Sequence, residues 1–83
     1  MSIIIVERTF ETPPTDADLK AIGEKQAQCV AIYGVTYKQS ALSDDHRRMI
    51  CQYEAADTES VRKVQREIGA PFDAIWTGRI ILS

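Results

Sequence analysis

The feature that most constrains this chain is the order in which its hydrophobic periods change. Ile3-Ile4-Ile5-Val6 is a short β-branched run that reads as a strand apolar on both faces. Apolar residues at helical spacing follow, then two alternating segments joined by a polar turn, a second helical stretch and a last β-rich segment. The order is β-α-β-β-α-β, that of a split-βαβ, ferredoxin-like sandwich. The fold class expected is α+β: one domain spanning residues 1–83, with a four-stranded antiparallel sheet in the order 4-1-3-2 and both helices on one face.

Local signals bound each element. Ser2 to Phe10 is the first strand, stopped by Pro13-Pro14. Thr15 is a good N-cap, and Asp16 and Asp18 sit in the first turn, where the helix dipole favours negative charge. Leu19, Ile22, Gln26, Cys29, Val30 and Tyr33 recur at steps of three and four, so the helix is expected to run from Asp16 to Tyr33 and end at Gly34. Val35 to Ser43 reads as an edge strand, with Lys38 as an edge blocker. Ser43-Asp44-Asp45-His46 is the turn, and Arg47 or Arg48 to Glu54 the returning strand. Asp57 or Thr58 caps the second helix, Val61, Val64 and Ile68 form its buried stripe, and Gly69 with Pro71 ends it. Ala74 to Leu82 is the last strand.

Size and charge narrow the partners. A chain of 83 residues buries a modest fraction of its surface, and two helices cover only one face of a sheet. Ile3 and Ile5 share one face of the first strand, Ile4 and Val6 the other, so the uncovered face is apolar and a homodimer is expected. The net charge is -2 with no basic patch, which argues against nucleic acid. Ile3–Val6 is too short for a signal peptide or a membrane span, so no membrane partner is expected. Cys29 and Cys51 do not have the spacing of a metal knuckle or a CxxC motif. They read as reduced thiols of a cytoplasmic protein, Cys29 as a packing residue.

The candidates for chemistry are few. Glu7 is a carboxylate in a strand placed at the sheet centre, where it needs a partner. It reads either as a ligand or base in a pocket on the open face, or as an ion-pair partner of Arg79 or Arg8. Tyr37 and Gln39 share parity on the second strand and are expected to line the same pocket as Glu7. Cys51 is a candidate nucleophile or soft metal ligand, or a small core residue. His46 follows Asp44-Asp45 and with Glu7 is the metal-ligand candidate, or else belongs to a solvated turn. Trp76 lines a ligand cavity, the core or a dimer interface. No phosphate loop, Ser/His/Asp set or HExxH motif is present.

Several segments together carry a family resemblance. Val6-Glu7-Arg8-Thr9-Phe10, Gly34-Val35-Thr36-Tyr37, Cys51-Gln52-Tyr53-Glu54-Ala55 and Gly69-Ala70-Pro71-Phe72-Asp73 resemble the small bacterial nickel-binding-protein-like domains. The resemblance implies a ferredoxin-like homodimer and, as possible cofactor, nickel or another divalent metal. Relatives often carry a His just before the Ser matching Ser40, where this chain has Gln39. An amide is a poor nickel ligand beside imidazole. The function expected is therefore a small ligand- or metal-binding dimer. The alternative is a small-molecule enzyme with a pocket on the sheet face or at the dimer interface.

Overall fold

β1 (Ser2–Thr9) takes the centre of the sheet, where its run of branched side chains can be enclosed on both flanks. A computed structural model describes residues 1–83. After β1 come α1 (Asp16–Cys29), β2 (Thr36–Leu42), β3 (Arg48–Ala55), α2 (Thr58–Ile68) and β4 (Ala74–Gly78). The sheet order is β2-β3-β1-β4, antiparallel throughout, as the periods predict.

Pairing sorts the side chains into two faces. Ile4, Val6 and Arg8 lie opposite Tyr53, Cys51 and Met49, and all six are buried. Val61, Val64 and Ile68 of α2 close over them. Each large apolar side chain enclosed this way contributes about 1.5–3 kcal/mol. The Tyr53 hydroxyl donates to Gln26 of α1 at 2.6 Å and accepts from Gln65 of α2 at 3.0 Å, so both helices stand on this one face. Ile3, Ile5 and Glu7 point to the other, uncovered face, opposite Glu54, Gln52 and Ile50.

The helix ends follow the sequence signals. Thr15 and Asp18 form a reciprocal capping box, and Asp57 accepts from the Ser60 amide. Those bonds hold the Asp18 and Asp57 carboxyls below the usual carboxylate range, the backbone donor being the larger cause for each. α2 closes in a Schellman motif, Ala70 N–H bonding Gln65 O and Gly69 N–H bonding Arg66 O, and the turn that follows α1 closes the same way, Val35 N–H to Val30 O and Gly34 N–H to Ala31 O. Gly34 and Gly69 both sit at φ 67°, a left-handed position that suits glycine.

Three boundaries or registers differ from expectation. α1 ends at Cys29, not Tyr33, because the chain tightens there: Ile32 N–H bonds Cys29 O before the Gly34 motif closes. β4 ends at Gly78, not Leu82, because Gly78 pairs with Ile3 and β1 begins only one residue earlier, at Ser2. Ile80, Ile81 and Leu82 therefore lie exposed beyond the sheet. Finally, β2 carries a bulge between Tyr37 and Gln39. Tyr37 lies opposite Tyr53 and Gln39 opposite Gln52, so the two residues point to opposite faces.

Candidate functional site

The apolar stripe of α1 does not seat fully on the sheet. Leu19, Ile22 and Val30 remain half-buried although they share one helix face. Between that face and strands β2 and β3 lies a cavity of about 550 Å³, within the range of small-molecule sites. Leu19, Ile22 and Val30 line its helix side, and Leu42, Met49 and Cys51 its sheet side.

Polar groups converge on this apolar space. Tyr37 and Ser40 share a hydroxyl–hydroxyl bond at 2.6 Å, and Ser40 Oγ donates to Cys51 Sγ at 3.1 Å. The Tyr37 ring meets the Tyr53 ring edge-on, with centroids 5.6 Å apart. Burial pushes the Tyr53 hydroxyl well above the ordinary phenol range, and Cys51 beside it adds to the effect. Arg8, 4% exposed, borders the same cavity. Its Nη2 donates to Gln65 Oε1 at 2.6 Å and Nη1 reaches Pro71 O at 3.4 Å, while its buried Nε has no partner.

A second groove of about 500 Å³ reaches the opposite face, where Glu7 lies with Ile50, Arg48 and Ala74; it shares Arg8, Leu42 and Met49 with the cavity under α1. The partner of Glu7 is neither Arg79 nor Arg8. Trp76 Nε1 donates to its Oε2 at 2.8 Å, and Arg8 is turned to the helix side of β1. Trp76 is 47% exposed and so belongs to the surface of this face, not the core. Gln39 is on the same face, where its amide donates to Gln52 at 3.1 Å, but it does not line the Glu7 groove.

The structure thus divides the sequence candidates. Tyr37 and Cys51 meet in the cavity under α1; Glu7 and Trp76 meet on the open face; Gln39 stands two strands from Glu7. His46 lies in the β2–β3 turn at φ 62°, its Nδ1 3.2 Å from Pro14 O, in neither group. The expectation that Tyr37 and Gln39 line one pocket with Glu7 is corrected by the β2 bulge. No three His, Cys, Asp or Glu side chains converge within one copy of the chain.

Arg8, Gln26, Gln65 and Ser40 join the site beyond the sequence candidates, and the sequence carries a signal for three of them. Arg8 shares the parity of Ile4 and Val6, and Gln26 and Gln65 interrupt buried helical stripes. Polar residues at positions of an apolar period mark a place where burial serves more than packing. Ser40 carried no such mark, because its orientation depends on the bulge.

Comparison with other proteins agrees with the architecture. The crystal structure of SCO4226 from Streptomyces coelicolor A3(2) is similar over 98% of both chains, with a TM-score of 0.81 and 17% identity. At that identity the likeness speaks to the fold alone. No curated protein matches the chain in sequence. The family described as "Nickel responsive protein SCO4226-like" matches residues 5–77. That match takes in every element but the first residues of β1 and the last of β4, and the chain belongs to the SCO4226-like family.

Proposed function

We propose that this domain binds a small molecule in the cavity under α1 and works as a homodimer assembled through its open sheet face. The observation that carries the reading is the cavity itself: about 550 Å³, apolar-walled, with hydroxyl, thiol and amide groups converging on it. The dimer is supported by the apolar side chains that the helices leave uncovered, Ile50 and Trp76 beside Ile3 and Ile5. Cys29 and Cys51 are both free thiols, which suits a cytoplasmic setting. No helix is long and apolar enough to cross a membrane.

Nickel is the metal named in the family's description. For this chain the proposal is weak nickel binding or none, since no ligand cluster forms in one copy and Gln39 replaces the expected imidazole. Gln39 lies on the face assigned to the second copy, so Gln39→His would offer one imidazole from each. Calorimetry with nickel is expected to show stronger binding for Gln39→His than for the unmodified chain. Tight stoichiometric binding by the unmodified chain would refute this.

An amide NMR titration with small apolar molecules tests the cavity. Shifts are expected to cluster at Leu19, Gly23, Tyr37 and Ser40, and Leu19→Trp, which fills the space, is expected to abolish them. Shifts confined to Glu7, Ala74 and Trp76 would place the site on the open face instead.

A further inference from the structure

We infer that the occupant of the α1 cavity is a small organic monoanion, a carboxylate on an apolar body, recognised through Arg8 and Gln26. This rests on the ligand-binding reading above and names the ligand class. Arg8 is the starting point. Its guanidinium stays charged at any ordinary pH and can only donate. It is buried, yet the chain's ion pairs are Lys38–Glu54 and Arg66–Glu59, both on the surface, and Arg8 is in neither. Its protein partners are a neutral amide and a backbone carbonyl, and its Nε is left without one. A buried cation without a counter-ion is costly, and an anion in the adjoining cavity would offset that cost.

A hydrogen-bonded chain sets a second donor. Because Arg8 cannot accept, Gln65 must turn its Oε1 towards it, which leaves Gln65 Nε2 to donate to the Tyr53 hydroxyl. Tyr53 must then donate onward to Gln26 Oε1. That leaves the Gln26 NH2 group free to donate at the wall of the cavity that Gln26 lines. The direction of every bond follows from the charge at one end. The arrangement leaves two donors in search of an acceptor: Arg8 Nε, buried beside the cavity that Arg8 lines, and Gln26 Nε2. Leu19, Ile22, Leu42 and Met49 make much of the remaining wall apolar, which selects an apolar body over a hydrated ion.

The test uses matched pairs that share a body and differ in charge: octanoate, phenylacetate and 2-naphthoate, each against its primary amide, titrated by calorimetry and amide NMR on the full chain. At least one carboxylate is expected to bind about tenfold or more tightly than its amide. Arg8→Met is expected to fold, with a melting temperature lowered because Gln65 Oε1 loses its donor, and to lose that preference. Gln26→Glu preserves the acceptor for Tyr53 but adds a negative charge; it is expected to lose the carboxylate and keep the amide. Equal binding of carboxylate and amide by the unmodified chain would overturn the anion assignment while leaving the cavity a binding site. A preference that survives both substitutions would also overturn it. Binding of no probe from either set at millimolar concentration would overturn both readings together.

Discussion

Tyr53 does more than any other single residue to set how this molecule is built. It has no exposed surface, and its one hydroxyl links the sheet to both helices. Tyr53→Phe keeps the ring but leaves Gln26 Oε1 and Gln65 Nε2 without their shared partner. Unpartnered buried amide groups of this kind cost about 1–3 kcal/mol, so urea denaturation is expected to show a loss of that size. The same residue gives stability a definite dependence on alkaline pH. Burial raises the folded-state pKa above its unfolded value of about 10, so the stabilisation is complete below pH 10 or so and declines as pH rises towards the folded-state value. The unfolded chain releases the proton first, so stability falls by up to about 1.4 kcal/mol per pH unit in that window. Tyr53→Phe is expected to remove this component of the slope. Equal alkaline slopes in the two proteins would show that Tyr53 ionises as freely when folded as when unfolded.

Among the elements, the starts of both helices and the end of α2 were legible; the end of α1 and the orientation of β2 were not. Thr15, Gly34, Asp57 and Gly69 act as caps because capping is local: a side chain or a left-handed backbone within a few residues satisfies the terminal groups. Gly34→Ala is therefore expected to cost about 1–2 kcal/mol by forcing a β-carbon into the left-handed region, which thermal or chemical denaturation would register. An unchanged stability would mean that the turn relaxes out of that conformation. The β2 bulge had no comparable signal. Lys38 is an ordinary surface residue, and simple alternation assigns Tyr37 and Gln39 to one face. One extra residue inverts that assignment, and it moved Tyr37 from the expected open-face pocket to the cavity under α1. The cavity was equally hidden, because the spacing of Leu19, Ile22 and Val30 is the same whether the stripe packs tightly or roofs a space. The end of β4 depends on where β1 runs out, which is a property of the register and not of the apolar run Ile80-Ile81-Leu82.

At the scale of the whole molecule the two faces of the sheet have different fates. One is closed by helices; the other leaves Ile50 43% and Trp76 47% exposed on the two strands that flank β1, which is a large apolar exposure for one sheet face. The Trp76 indole is already held in place, by its bond to Glu7 and by lying so close over Gly78 that an added β-carbon would meet it at 2.9 Å. A side chain fixed before association loses little freedom on binding, which favours a partner. A standard interface takes about 800 Å² from each partner. This chain exposes 5561 Å² in all, so one sheet face can supply that area and leave the helix side untouched. Light scattering at micromolar concentration is expected to give twice the 9.3 kDa of the single chain. Ile50→Lys should then yield a monomer that still folds, because position 50 lies opposite Glu7, which can pair with the new ammonium group. The cavity lies on the other side of the sheet from Ile50, so its ligand response is expected to survive in that monomer. A mass of 9.3 kDa for the unmodified protein would refute the dimer, and the open face would then be an apolar surface that the chain tolerates in water.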